Sequence, residues 1–99
     1  MPLTGPQARA ARALAELSRE IVAGRAGMEV EALRAFEAGK VHPGADAIGR
    51  LQAALEAGGA VFIDEDDLGA GVRLKFPRGD VRSIRRLENE GGVVGEDDV

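Results

Sequence analysis

Cysteine, tryptophan and tyrosine are absent from this 99-residue chain, which contains a single histidine. Without cysteine the chain has no disulfide, no thiolate metal site and no cysteine nucleophile, and His42 alone cannot form a histidine metal cluster. No uncharged apolar run approaches the roughly 18 residues of a membrane span, and no basic segment followed by an apolar run opens the chain. We therefore expect a cytoplasmic protein with no metal, no cofactor and no membrane partner.

Catalytic motifs are missing as well. His42 precedes Pro43 in a predicted loop, and no motif supplies the Ser or Asp partner that histidine catalysis needs. The acidic run at residues 64–67 lacks the alternating ligands and the terminal Glu of a calcium-binding loop, and the glycines match no phosphate-binding pattern. The chain is predicted not to be an enzyme.

Charge is distributed unevenly along the chain. Residues 1–58 carry seven basic and seven acidic side chains, whereas residues 59–99 carry six and ten, so the C-terminal part holds all of the net charge of −4. Gly58 and Gly59 lie at this boundary. The pattern predicts a helical domain at 1–58, a β-hairpin at 59–77, and a short helix with a mobile acidic tail at 78–99.

Capping residues and apolar spacing predict four helices in residues 1–58. Thr4 and Gln7 form a capping box at the start of the first helix, and Ser18 caps a second helix that runs to about residue 26. Gly27 separates it from a third helix at about 29–38, and Asp46 is predicted to cap the fourth. The expected buried positions are Ala11, Leu14 and Leu17, then Val22, Ala23 and Ala26, then Leu33 and Phe36, then Ile48, Leu51 and Leu55.

The period of the apolar pattern changes after Gly59. Residues 60–63 form a short β-prone run, and residues 72–76 alternate apolar and basic side chains as a half-exposed strand does. A fifth helix is predicted at 80–89, with Val81, Ile84 and Leu87 in line. The predicted fold is mostly α, with four to five helices and a C-terminal hairpin, and its core must be aliphatic and alanine-rich because Phe is the only aromatic residue type.

Several segments resemble one known family. They are residues 3–7 (LTGPQ), 9–14 (RAARAL), 26–27 (AG), 37–39 (EAG) and 51–56 (LQAALE), in that order and spacing. Together they resemble the small bacterial helix-turn-helix regulators of the lambda-repressor and Cro (XRE) type, and residues 62–65 and 71–74 resemble the hairpin that follows the helices in one short subgroup. The resemblance covers about residues 3 to 76.

The resemblance implies a sequence-specific transcriptional regulator that binds double-stranded DNA, with the N-terminal part of its third helix in the major groove. By position, the residues implied to face DNA are Arg19, Val30, Glu31, Arg34, Ala35 and Lys40. Arg19, Glu31 and Arg34 are expected nearest the bases, and Lys40 nearer the backbone. Other basic side chains of the helical domain, Arg9, Arg12, Arg25 and Arg50, form either part of this phosphate-binding surface or an ordinary solvated exterior.

One departure from the family pattern favours a second hypothesis. The family commonly begins its third helix with Ser or Thr and polar or basic residues, whereas this chain has Glu29, Val30 and Glu31 there. Carboxylates suit the positive end of a helix dipole but repel phosphate, although Glu can accept a hydrogen bond from cytosine N4. The alternative is a helix-turn-helix fold that binds another protein, such as a regulator or a polymerase subunit, through Ile21, Val30 and Glu31.

The predicted hairpin also indicates a homodimer. A two-stranded hairpin is marginal by itself, so Val61, Ile63, Val72, Leu74 and Phe76 must pack on the helices or against a second copy. Pairing with a second copy is the favoured arrangement, because two half-sites multiply weak DNA contacts.

Overall fold

A computed structural model describes residues 3–77, which form a small, mostly helical unit followed by a two-stranded antiparallel hairpin. The elements are α1 (Gly5–Ala15), α2 (Arg19–Ala26), α3 (Val30–Glu37), α4 (Ala45–Ala57), β1 (Ala60–Ile63) and β2 (Gly71–Leu74). The prediction of four helices and a hairpin is confirmed. The predicted helix at 80–89 and the acidic tail lie outside the described residues.

Local capping interactions begin and end the first helices where the sequence predicts them. At α1 the Thr4 hydroxyl accepts a hydrogen bond from the Gln7 amide while the Gln7 side chain accepts one from the Thr4 amide, which completes the capping box. Ser18 accepts a hydrogen bond from the Ile21 amide and caps α2. Gly27 ends α2 in the left-handed conformation, with φ of 64°.

The predicted cap of α4 is wrong. Gly44, with φ of 100°, occupies the N-cap position, and α4 begins at Ala45, so Asp46 lies within the first turn. No side-chain cap bond is made there. Asp46 favours the helix through its charge at the positive end of the dipole rather than by capping a backbone amide.

The core is alanine-rich and aliphatic, as the composition requires. The largest fully buried side chains are Leu33, Leu51, Leu55 and Val22. The predicted buried face of α1 is partly wrong: Ala11 and Leu17 are buried, but Leu14 is 43% exposed. α1 instead turns Ala8, Ala11 and Ala15 inwards, since these small side chains let the helix lie close to its neighbours.

The hairpin packs on the helices of its own chain. β1 and β2 pair in the register Ala60 with Leu74 through Ile63 with Gly71. Ala60 is buried in the core, and the partly buried side chains of the hairpin that pack against the core are Phe62, Val72 and Leu74. The opposite face leaves Val61 and Ile63 exposed. The pattern favoured pairing with a second copy over packing within the chain, but packing within the chain accounts for the inner face.

Within residues 3–77 none of the helices is long and apolar enough to cross a bilayer.

Candidate nucleic-acid interface

A tight turn joins α2 to α3. The Gly27 amide bonds the carbonyl oxygen of Gly24 at 3.3 Å, and the Met28 amide bonds that of Ala23 at 3.0 Å. These bonds close the end of α2, and Glu29 then serves as the N-cap residue of α3 without a side-chain cap bond. The turn places the first residues of α3 at the surface, where Glu29 and Glu31 are exposed.

The outward face of α3 holds four of the six predicted DNA-facing residues. At about 100° per residue, positions 30, 31, 34 and 35 fall within one sector of the helix, opposite the buried Leu33 and Phe36. Glu31 and Arg34 are exposed, whereas Val30 and Ala35 are half-buried. Arg34 Nε lies 3.1 Å from Glu31 Oε1, so the two charged side chains of this face are paired with each other.

Arg19 and Lys40 lie towards the other end of α3. Arg19, the first residue of α2, donates from Nε to Glu37 Oε1 at 3.0 Å, and Glu37 is the last residue of α3. Lys40 is exposed, and its backbone amide bonds the Ala35 carbonyl oxygen at 2.9 Å, which ties it to the end of α3. The structure therefore divides the predicted site into an α3 face and a basic pair near the C-terminal end of α3.

A buried ion cluster that was not predicted from the sequence lies at the C-terminal end of α3. The Glu37 side chain is 2% exposed and accepts hydrogen bonds from two arginines. Arg12 donates from Nε to Oε2 at 2.8 Å and from Nη2 to Oε1 at 3.0 Å, and Arg19 is the second donor. Glu37 stands four residues after the buried Leu33, on the same side of α3, and that spacing was the available signal for a buried carboxylate.

Two arginines expected on a phosphate-binding or solvated exterior have structural partners. Arg12 is mostly buried, because Glu37 engages its guanidinium and Nη1 also reaches the Leu17 carbonyl oxygen at 3.4 Å. Arg50 donates from Nε to the carbonyl oxygen of Ala26, the last residue of α2, at 2.8 Å. A cation at a helix C-terminus satisfies a carbonyl that has no partner within the helix.

The surface predicted to bind a protein, formed by Ile21 on α2 with Val30 and Glu31 on α3, is only partly accessible. Ile21 and Val30 are both half-buried and pack against the hydrophobic core. Glu31, beside them, is the exposed member of the set. A partner that bound here would meet the edges of two aliphatic side chains and one carboxylate.

No protein-family model matches the chain, and no curated protein matches it. Among residues 3–77 no group of three or more His, Cys, Asp or Glu side chains is arranged to hold a metal ion.

Proposed function

We propose that this chain is a sequence-specific DNA-binding transcriptional regulator of the lambda-repressor and Cro type, acting as a homodimer. The observation that carries the proposal is the pair of short helices, α2 and α3, joined by a turn that contains Gly27. This arrangement leaves Glu31 and Arg34 exposed on one face of α3. A helix held in this way can enter the major groove and place side chains against base edges.

The charges on this surface support specific binding more than general attraction to DNA. Glu31 and Arg34, the two exposed charged side chains of the α3 face, form an ion pair with no net charge, so attraction of this face to phosphate is balanced by repulsion. The affinity must then come from a small number of well-placed contacts. Arg34 can bond guanine O6 and N7, and Glu31 can accept from cytosine N4.

The test is selection of double-stranded DNA from a random library by the whole chain, followed by titration of the selected site at two salt concentrations. Replacing Arg34 with Ala is expected to cost about 1–3 kcal/mol at the selected site and to relax one base position. Arg25→Ala, at an exposed position near the end of α2, removes the same charge from outside the α3 face and serves as the control. Failure of the folded chain to enrich any sequence or to bind DNA at low salt would contradict the proposal.

The alternative is a protein-binding module that uses the same surface. The observation in its favour is the exposed Glu31 beside the half-buried Ile21 and Val30, since an acid next to apolar side chains suits a protein partner better than a phosphate backbone. In that function the partner would be another regulator or a polymerase subunit. The unaltered chain would then bind no DNA, so Arg34→Ala would have no effect on DNA binding.

A further inference from the structure

The ion cluster at the end of α3 has one more positive charge than its buried carboxylate requires. Arg12 alone satisfies Glu37 through two hydrogen bonds, of 2.8 and 3.0 Å, in a bidentate pair. Arg19 adds a second guanidinium to the same carboxylate at 3.0 Å. Two cations and one anion leave a net charge of +1, and the more exposed cation is Arg19, with 27% of its side chain accessible against 17% for Arg12.

The two arginines differ in how many of their donors are used. Arg12 employs Nε, Nη1 and Nη2, the last two on Leu17 and Glu37. Arg19 employs Nε, and within residues 3–77 its Nη1 and Nη2 make no hydrogen bond. The donors that Arg19 has left are the parallel pair of a guanidinium fork, the geometry that binds two oxygens of a phosphate.

From this geometry we infer that Glu37 is a positioning residue that holds Arg19 by Nε and turns its Nη1 and Nη2 towards a phosphate of the DNA backbone. The inference rests on the proposed function. Arg19, which was predicted to lie near the bases, is thereby assigned to the DNA backbone. Contacts to the backbone fix the register of the protein on the duplex without reading its sequence. Arg12 has the structural role of neutralising Glu37.

The holding contact has a clear physical benefit. A free arginine side chain loses rotamer entropy when it binds a phosphate, and a side chain already fixed by a buried carboxylate loses less. The Ser18 cap helps, because it fixes the backbone at the first residue of α2. Glu37 therefore raises DNA affinity through Arg19 although it is itself anionic and buried.

The first part of the experiment counts phosphate contacts with the whole chain and a double-stranded DNA duplex. In Arg19→Gln the magnitude of the slope of log K against log salt is expected to fall by about 0.9, because one phosphate contact is gone. The affinity should fall about tenfold for selected and for random duplexes alike. Arg12→Gln is the matched control: its melting temperature should fall while its slope stays that of the unaltered chain. An unchanged slope in a folded Arg19→Gln variant would overturn the inference.

The second part tests whether Glu37 acts through Arg19. Glu37→Gln is expected to weaken DNA binding in the unaltered chain and to have no further effect in an Arg19→Gln background. A merely structural Glu37 would weaken binding equally in both, which would overturn the positioning role. If Glu37→Gln does not fold, Arg19→Lys replaces it: the charge and the slope should be kept, but affinity should fall, because one ammonium group cannot bond Glu37 and grip two phosphate oxygens. Full affinity in Arg19→Lys would contradict the inference.

The two proposals fail in different ways. A folded, unaltered chain that binds no DNA even at low salt refutes the proposed function, and the positioning role with it. If Arg34→Ala weakens DNA binding but Arg19→Gln does not change it, the proposed function stands and only the inference about Arg19 and Glu37 is refuted.

Discussion

Gln7 on α1 donates a hydrogen bond from Nε2 to the carbonyl oxygen of Gly71 on β2, at 3.0 Å. The same nitrogen lies 3.5 Å from the carbonyl oxygen of Ile63, the residue paired with Gly71 across the hairpin. Its Oε1 meanwhile accepts from the Thr4 amide in the capping box. One buried amide thus joins the start of the first helix to the end of the hairpin where the loop at residues 64–70 connects the two strands.

Gln7→Glu should separate these two roles. A glutamate keeps the acceptor that the capping box needs but replaces the Nε2 donor with an oxygen facing two carbonyls. We expect a loss of about 1–3 kcal/mol in the free energy of unfolding, with faster amide hydrogen exchange in β2 than in α4. Gln52→Glu makes the same change on α4, where the half-buried Gln52 bonds only Glu56 among the described residues, and should cost a few tenths of a kcal/mol. Equal losses in both variants would contradict this role of Gln7.

Gly5 is required by a close approach between two helices. A Cβ added there would lie 2.1 Å from the Phe36 carbonyl oxygen on α3, and a backbone atom cannot move aside as a flexible side chain can. Gly5→Ala should lower the free energy of unfolding by about 1–3 kcal/mol. Gly49→Ala, at a helical position with no atom within 4 Å of the added Cβ, should raise it by about 0.5–1 kcal/mol. Urea denaturation of both variants checks the pair, and a neutral Gly5→Ala would refute the contact.

Glu31→Gln distinguishes base reading from simple repulsion. If Glu31 accepts a hydrogen bond from cytosine N4, the substitution should cost about 1–3 kcal/mol at the selected site and relax one position. If it only opposes phosphate, affinity for random duplex should rise. Val30→Asp is the companion variant: loss of capture of a polymerase subunit, with DNA binding absent throughout, would favour the protein-binding alternative.

The exposed face of the hairpin is the surface we expect a second copy to cover. Val61 and Ile63 point away from the core on β1, and an exposed apolar strand is a ready partner for its own copy. In the homodimer that we propose, Val61→Lys should give a monomer in sedimentation while the helical content stays unchanged. Val41→Lys, at an exposed apolar residue in the loop before α4, should leave the dimer intact. A dimer that survives Val61→Lys would place its interface elsewhere.

Much of the fold could be predicted from the sequence because its signals are local. Thr4 with Gln7, Ser18, and Gly27 begin or end helices through hydrogen bonds and backbone angles that involve residues within four or five positions of each other. The alternation at residues 72–74 indicates a strand for the same reason. The exposure of Glu31 and Arg34 follows from helical periodicity once Leu33 and Phe36 are recognised as core.

Tertiary structure decided what depends on residues far apart in the chain. Leu14 is exposed while its smaller neighbours Ala11 and Ala15 are buried, because α1 packs closely where its side chains are small. Periodicity alone could not show which of the two possible faces of α1, the one with Leu14 or the one with Ala15, is buried. The buried Glu37 was missed because its partners, Arg12 and Arg19, are 25 and 18 positions away. From the sequence alone, a charged residue in a helix is predicted to be exposed to solvent. Burial of Glu37 requires the two arginines beside it, and only the tertiary structure brings them there.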